Sequence, residues 1–223
     1  IKMKKSTTPY FVITAFLLIV FDQITKLLVK GFNFFGIEHK GFYYGESIPV
    51  IGDFLMFTFV ENPGMAFGIE FGTGKIFLSL FSVLASMAIG WYMIKMNGFN
   101  SWARTGVMLI FSGAVGNMID RVFYGVIFKE SALFYGKVVD FIQVDIPDVD
   151  FFGLSYSHWP VFNIADSCVT VGVVILLFVH EKLPSINEIR GIKESQETEE
   201  IEVVNESDNE SDLHNDPDNT NPN

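Results

Sequence analysis

Four apolar segments constrain the fold of this chain more than any other feature of its sequence. A helix needs about 20 mostly apolar residues to cross the hydrocarbon core of a bilayer, and each segment comes close to that length. We expect membrane-crossing helices over residues 10–29, 76–96, 102–121 and 161–180. Because nearly half of all residues are apolar, with 24 Phe among them, the sequence predicts a membrane protein of the mainly α class.

Lysine and arginine in the short flanks predict the orientation, since these residues favour the cytoplasmic side. They lie before the first helix, between the second and third, and after the fourth. The residues are Lys2, Lys4, Lys5, Lys95, Arg104, Lys182, Arg190 and Lys193. Signal peptides also begin with basic residues, but no small-residue cleavage site follows the first segment, so we expect this helix to be retained. Both termini are therefore predicted to be cytoplasmic.

The acidic balance of the chain belongs to its C-terminal part. Residues 181–223 hold 3 basic and 13 acidic residues, whereas residues 1–180 hold 12 and 13 and are nearly neutral. The C-terminal part also has few residues that could form a core. We predict a membrane domain over residues 1–183 and a disordered acidic tail over 184–223, with a docking arm as the alternative for the tail. No nucleic-acid partner is expected.

Two long connections, residues 31–75 and 122–160, fall on the side opposite the termini. The first contains IPVIGDFLMFTFVENPGMAFGI, which is rich in aromatic and β-branched residues and interrupted by Gly52, Pro63 and Gly64. This pattern predicts a small β-sheet resting on the membrane surface. The second contains GKVVDFIQVDI, which is too short to span the bilayer. It is expected either to pack against that sheet or to dip into the membrane interface.

Polar residues from separate segments fall at one depth, near the face opposite the termini. An ionisable residue in a membrane segment is costly, so a cluster at one depth indicates a functional site. Its members are Asp22, Lys26, Asn117, Asp120, Arg121, Asp140, Asn163 and Asp166.

Most of these residues also have a structural interpretation. Asp22 and Lys26 are spaced i, i+4 and can form an ion pair, so a structural or lipid-headgroup role is favoured over catalysis. Asp120 and Arg121 end the third helix, where an arginine complements the helix dipole, and structural support is again favoured. The side chain of Asn117 either orients a peptide carbonyl or joins two helices.

Asp140 and Asp166 differ from the others because neither has an evident local counter-ion. Asp166 follows Asn163 by three residues at a helix start, so helix capping is its structural interpretation. Asp140 lies among apolar residues in VVDFI, where a solvated loop carboxylate is hard to arrange. If the two carboxylates meet, they share a proton. The ionised one then activates water while the protonated one donates to a carbonyl oxygen or leaving amine, as in aspartic proteases.

Five motifs in order along the chain resemble the motif set of lipoprotein signal peptidase, also called signal peptidase II. They are DQITK at 22–26, NPGMAFG at 62–68, GAVGNMIDR at 113–121, VVDFI at 138–142 and FNIAD at 162–166. Any one alone is weak, but five in this order make the resemblance specific. It implies an intramembrane aspartyl endopeptidase of the bacterial cytoplasmic membrane. Such a protein has four transmembrane helices, a periplasmic-side β-cradle with an extended outer loop, and an active site near the periplasmic face.

The resemblance also implies the substrate and the site residues. The substrate is a prolipoprotein that carries diacylglycerol on a cysteine, and cleavage occurs just before that cysteine. Asp140 and Asp166 match the catalytic pair, and Asp22 and Lys26 match the motif of the first helix. The other residues that match positions lining or supporting the site are Asn62, Gly64, Asn117, Asp120, Arg121, Asn163 and Ala165. Membrane lipids are the remaining expected partners, and a monomer without metal or cofactor is expected.

One departure from the family pattern lies between Arg121 and Asp140, where the chain carries the additional sequence VFYGVIFKESALFYGK. It is expected to form either a surface extension or a lid over the site.

Other functions stay open at this point. A small transporter would place its charged groups near the bilayer midplane and often shows an internal repeat. A structural membrane subunit would need neither aspartate. No nucleophilic Ser-His or Cys-His set is evident, the four His have no metal-binding spacing, and the single Cys168 excludes an intrachain disulfide. Proximity of Asp140 to Asp166 beside an accessible groove is the observation that discriminates between these functions.

Overall fold

The computed structural model of the chain describes residues 7–34, 36–64, 74–151 and 154–190. Two compact units are distinguished, residues 1–183 and residues 184–223. The second unit is described only over residues 184–190 and contains one short helix, Ile186–Arg190. The rest of the predicted acidic tail, and the residues of NPGMAFG that follow Gly64, lie outside the described residues.

Helices form most of the first unit. They are α1 (Thr8–Lys30), α2 (Lys75–Lys95), α3 (Ser101–Ile119), the short α4 (Gly125–Ile127) and α5 (Ile164–Phe178). A π-helical turn, Asp120–Tyr124, connects α3 to α4. Three helices, α1, α2 and α3 with its extension to Ile127, are long and apolar enough to cross a membrane, and α5 makes a fourth when counted with His180–Arg190. The predicted mainly α membrane fold is therefore confirmed.

The helices begin and end at residues suited to these positions. Pro9 lies in the first turn of α1, where its missing N–H costs nothing. Gly31 ends α1 with φ +80°, and its N–H donates to the Leu27 carbonyl at 2.9 Å. A Cβ on Gly31 would lie 2.5 Å from the Gly41 nitrogen, so a side chain does not fit there. At the start of α3, Asn100 Oδ1 accepts two backbone N–H groups.

Large apolar side chains cover the outside of the helices. Phe16 on α1 is 63% exposed, Phe81 on α2 is 68% exposed and Phe178 on α5 is 85% exposed. Exposed aromatic surface on this scale is unfavourable in water and suits helices that face lipid.

The strands pair antiparallel in two sheets. The smaller sheet joins β1 (Phe32–Phe34) to β2 (Ile37–His39). The larger has the order β3-β4-β5-β6, with β3 (Ser47–Ile51), β4 (Leu55–Asn62), β5 (Val138–Phe151) and β6 (Leu154–His158). Since GKVVDFIQVDI supplies the start of β5 and pairs with β4, the expectation that it packs with the sheet is confirmed.

A small apolar core fixes the sheet to the ends of the helices. It consists of Val29 on α1, Phe59 on β4, Tyr124 in the π-helical turn, and Val139 and Phe141 on β5. These side chains are all at least 93% buried, so burial of apolar surface holds the beginning of β5 close to the helix ends. The position of Asp140, between two members of this core, follows from that packing.

The additional segment between Arg121 and Asp140 folds compactly. Its Phe128 packs on Tyr124 with ring centroids 5.1 Å apart and on Phe34 with centroids 5.8 Å apart. The carbonyl of Gly125 accepts the N–H groups of Glu130 and Ser131, which closes the turn after α4. These contacts anchor the segment at the ends of the helices, and both expectations for it, a surface extension and a lid, stay predictions.

Candidate active site

Asn163 marks the start of α5 and organises the site. Its Oδ1 accepts the N–H of Asp166 at 2.9 Å, and Asp166 Oδ2 accepts the N–H of Asn163 at 3.2 Å. This reciprocal capping box satisfies N–H groups that a helix start leaves unpaired. The predicted capping contact of Asp166 is therefore present, and it uses one of the two carboxylate oxygens.

β5 brings Asp140 to the same point. Ile142 and Phe162 exchange backbone hydrogen bonds of 2.7 and 3.0 Å, so the residue before Asn163 pairs with β5. In that register, Asn163 Nδ2 donates to Asp140 Oδ1 at 2.6 Å. One asparagine thus contacts both aspartates, through its side-chain amide to Asp140 and through its backbone and Oδ1 to Asp166.

Asn117 on α3 completes the link between the two carboxylates. Its Nδ2 donates to the second oxygen of Asp166 at 2.8 Å, and its Oδ1 accepts from Asn163 Nδ2 at 3.1 Å. These contacts connect α3 to α5, which is one of the two alternatives for Asn117, and orientation of a peptide carbonyl stays a prediction.

The two aspartates also interact electrostatically. Burial, followed by the nearby negative charge of Asp166, raises the pKa of Asp140 to about 7, while the hydrogen bond from Asn163 acts in the opposite direction. A carboxyl group in this state exchanges its proton near neutral pH. The pair therefore has the property that general acid–base chemistry needs.

A buried ion cluster next to Asn117 supports this arrangement. Lys26 is fully buried, and its Nζ lies 2.9 Å from Asp22 Oδ2 and 2.8 Å from Asp120 Oδ2. The same Nζ donates to Asn117 Oδ1 at 2.9 Å. Because that oxygen faces a cation, the Asn117 amide is held with its N–H groups toward Asp166.

The carboxylates of this cluster also hold backbone groups of the site. Asp22 Oδ1 accepts the N–H of Ala165 at 2.9 Å, in the first turn of α5. Asp120 Oδ2 accepts the N–H of Val139 at 3.2 Å, next to Asp140 on β5. Both carboxylates therefore hold backbone groups in the two chain segments that carry the aspartate pair, a contact that the sequence interpretation did not specify.

Close packing of α3 on α5 requires glycine. A Cβ on Gly113 would lie 2.2 Å from the Ala165 carbonyl oxygen, and one on Gly116 would lie 3.1 Å from the Ala165 Cβ. Ala165 itself is 99% buried at this crossing. Small residues at the contact let the backbones approach closely, which brings Asn117 within reach of α5.

The other predicted residues lie around the pair. Asn62 Oδ1 accepts the N–H of Gly64 at 2.9 Å, and Gly64 has φ +92°, a conformation that favours glycine. Arg121 interacts electrostatically with both Asp140 and Asp166. Among the described residues, its Nε has no hydrogen-bond partner.

An open groove of about 760 Å³ reaches Asp140. Its walls come from the end of β4 and the start of β5, with the side chains of Tyr44, Glu61, Asn62 and Lys137 among the lining residues. Asp166 is not a lining residue and connects to the groove through Asn163 and Asn117. The groove is large enough for a few residues of an extended peptide beside Asp140.

Sequence reasoning did not select several residues that belong to this region. Gln23 Nε2 donates to Asp22, to Asp120 and to the Gly116 carbonyl, and its Oε1 accepts from Tyr124 at 3.0 Å. The signal for Gln23 was its position directly beside Asp22 in DQITK.

A second charged group, also not selected from the sequence, lies beside the groove. Glu61 pairs with Lys30 and, at 2.7 Å, with Lys137, and Lys30 also pairs with Glu130 at 2.6 Å. Lys30 follows Lys26 by four residues, so it continues the same face of α1, and Glu61 directly precedes Asn62. Both residues could therefore have been selected from their positions in the sequence.

Comparison with known families and structures shows which proteins this chain is similar to. The family model for signal peptidase (SPase) II matches residues 14–181. The lipoprotein signal peptidase of Pelodictyon phaeoclathratiforme is 38% identical, over 75% of this chain and 87% of that protein. The lipoprotein signal peptidase of Chlorobaculum tepidum is 35% identical, over 78% and 94%.

Solved structures agree with this match. A bacterial membrane enzyme structure with 32% sequence identity covers 79% of this chain and 95% of its own, with a TM-score of 0.58. A second bacterial membrane enzyme structure gives 31% identity and a TM-score of 0.59. With the family model spanning the four helices, the larger sheet and both aspartates, the chain belongs to the signal peptidase II family.

Proposed function

We propose that this protein is an intramembrane aspartyl endopeptidase that removes the signal peptide from diacylglyceryl-modified prolipoproteins. It cleaves just before the lipidated cysteine, and Asp140 and Asp166 activate the attacking water. The observation that carries the proposal is the link of Asp140 and Asp166 through one asparagine beside a groove. Family membership and the name of the relatives, lipoprotein signal peptidase, support the substrate.

The pair divides the chemistry between its two members. Asp140, whose raised pKa of about 7 keeps it largely protonated below neutral pH, donates a proton to the carbonyl oxygen of the scissile peptide. Asp166 acts as the base and takes a proton from water. The water oxygen attacks the carbonyl carbon and a tetrahedral intermediate forms.

Collapse of that intermediate completes the reaction. The C–N bond breaks, the leaving amine takes the proton from Asp166, and an OH group of the intermediate returns its proton to Asp140 as the new carboxyl group of the signal peptide forms. The mature protein begins with the free amine of its diacylglyceryl cysteine. Asn163 and Asn117 hold the two carboxyl groups in place throughout, since each contacts an aspartate and the other asparagine.

The position of the site suits a lipidated substrate. It lies where α5 begins and α3 ends, at the end of the helices that joins the sheet. With both termini in the cytoplasm, this end faces the periplasm. The acyl chains and the apolar part of the signal peptide then stay in lipid while the scissile peptide enters the groove, and the enzyme acts as a monomer.

The test is cleavage of a purified diacylglyceryl-modified prolipoprotein by wild type, Asp140→Asn and Asp166→Asn in bilayer discs. Asparagine keeps the shape of the side chain and removes the titrating group. Both variants are expected to lose at least about a thousandfold in kcat while staying folded. Asp53→Asn, the same change in the exposed turn between β3 and β4, is the control and should cleave as wild type does.

Thermal unfolding recorded for all four proteins separates chemistry from folding. An active Asp166→Asn enzyme would show that Asp166 only caps α5. An active Asp140→Asn enzyme would show that the reaction does not need Asp140 as its acid. Wild type that binds the substrate without cleaving it would favour a structural or transport function instead.

A further inference from the structure

Lys137 places a cation in the wall of the groove that also contains Asp140. It precedes β5 by one residue and lies three residues before Asp140. Its side chain is 42% exposed, and its Nζ donates to Glu61 Oε2 at 2.7 Å. An ammonium group has three N–H donors, so a single contact with Glu61 leaves capacity for a ligand in the groove.

The charge of Lys137 is maintained by its surroundings. The hydrogen bond that Lys137 donates to Glu61 raises the pKa of Lys137 above its usual value, while burial opposes this. Burial also opposes ionisation of Glu61, but the hydrogen bonds from Lys137 and Lys30 lower its pKa below the usual value. Both groups therefore stay charged at neutral pH. Glu61 is shared with Lys30, which also pairs with Glu130, so two lysines face two carboxylates, and Lys137 offers an acidic ligand its exposed N–H groups.

The position of Lys137 relative to Asp140 determines which part of a substrate it meets. Three residues of a strand span about 10 Å, and an extended peptide covers the same distance in three residues. Lys30, which shares Glu61 with Lys137, lies one helical turn beyond Lys26 on α1, toward the sheet. Through Glu61, Lys137 therefore lies near the level of Lys30, at the sheet end of α1.

If the proposed function holds, the two sides of the scissile bond leave this region in different directions. The apolar signal peptide stays with the helices, because its side chains require lipid. The mature protein leaves past the sheet, along the groove that contains Lys137. Residues shortly after the lipidated cysteine then come close to its ammonium group.

We propose that Lys137 is a specificity-determining residue that favours substrates with an acidic side chain two or three positions after the lipidated cysteine over substrates with a basic one. This inference rests on the proposed function. The interaction is a partly exposed ion pair, so it adjusts the choice of substrate without being needed for the chemistry.

The test uses three diacylglyceryl prolipopeptides that are identical except at the second and third positions after the cysteine. These positions carry two Asp, two Asn or two Lys residues. Values of kcat/KM are measured for the full chain in neutral bilayer discs at low salt and at about 1 M salt. Wild type is expected to prefer the Asp peptide over the Lys peptide by about fivefold at low salt, and high salt should reduce this ratio toward one.

Three variants locate the effect. Lys137→Gln removes the cation and should bring the ratio close to one, whereas Lys137→Arg should keep the preference. Lys40→Gln makes the same charge change on the exposed surface away from the groove and should leave the ratio unchanged.

Several results would overturn the inference. A wild-type ratio of one at low salt would do so, as would an Lys137→Gln enzyme that loses activity equally on all three peptides, because a purely structural role predicts that loss. If Lys137→Gln did not fold, the ratio of Asp-peptide to Lys-peptide cleavage by Lys137→Arg and the salt dependence of this ratio in wild type would still test the inference. A wild type that cleaves none of the peptides, including the Asn peptide, would instead refute the proposed function and this inference with it.

Discussion

Asn163 Nδ2 donates to Asp140 Oδ1 at 2.6 Å, which joins the first residue before α5 to a carboxylate on β5. The same asparagine caps α5 through its Oδ1. One side chain thus sets a helix start and the position of the proposed acid. Because these two tasks use different atoms of Asn163, substitution can separate them.

Asn163→Ser should keep the helix cap and lose most of the catalytic activity. Serine is as good a helix cap as asparagine but does not reach Asp140, so kcat should fall by about a hundredfold, and loss of the buried Nδ2 hydrogen bonds should cost about 1–3 kcal/mol of stability. Asn163→Ala removes both atoms and should lower the free energy of unfolding by about 1 kcal/mol more. Cleavage assays and thermal unfolding of both variants test this, and full activity in the serine variant would contradict it.

The pH dependence of cleavage should report the proton on Asp140. Its pKa of about 7 means that the group is protonated below that pH and loses its proton above it. We expect kcat/KM to fall about tenfold per pH unit above neutrality, because the pair then lacks its acid. In Asn163→Ser, loss of a hydrogen bond that lowers the pKa should move this decline to higher pH. A profile that stays flat up to pH 9 would contradict the assignment of Asp140 as the acid.

The stability of the folded protein should depend on pH through the same carboxyl group of Asp140. The pKa of Asp140 rises from 3.8 to about 7 on folding, so the folded protein binds the proton more tightly than the unfolded chain. This tighter proton binding contributes fully to the free energy of unfolding below the lower pKa, and the contribution is lost as the pH rises toward 7. Asp140→Asn should therefore raise the melting temperature by a few degrees at pH 8 and much less at pH 5, with Asp53→Asn showing no such difference.

Removing Lys26 should destabilise the protein strongly. It is fully buried between Asp22 and Asp120, so Lys26→Met leaves two carboxylates without a counter-ion at a cost of about 3–5 kcal/mol. Adding Asp22→Asn and Asp120→Asn to that variant should restore much of the loss, because no uncompensated charge is then left. Denaturant unfolding in detergent measures both proteins, and Lys40→Met is the exposed control.

Topology can be tested by labelling engineered cysteines in spheroplasts. Asp53→Cys lies in an exposed turn between β3 and β4, and Ser101→Cys lies at the exposed start of α3. A membrane-impermeant maleimide should label the first in intact spheroplasts and the second only after permeabilisation, since the sheet end of the helices is predicted to be periplasmic. The reverse pattern would invert the orientation. The natural Cys168 is buried in α5, so its labelling should be low.

Some of the site was predictable because its signals are local. The i, i+4 spacing of Asp22 and Lys26 predicted their ion pair, and the spacing of Asn163 and Asp166 predicted the cap. The pairing of Lys26 with Asp120 was not predictable in this way, because 94 positions separate them in the sequence. The same holds for Glu61 with Lys137, whose contact depends on the β4–β5 register.

The sequence by itself determined the membrane class, the helical segments and the residue types available for chemistry, since apolar run length and helix-end residues act over short distances along the chain. Only the tertiary structure decided that Asp140 meets Asn163, that Asn117 is oriented by Lys26, and that Lys137 lines the groove. Those contacts join segments far apart in the chain. They arise because close approach at Gly113 and burial of Val139 and Phe141 fix β5, α3 and α5 against one another.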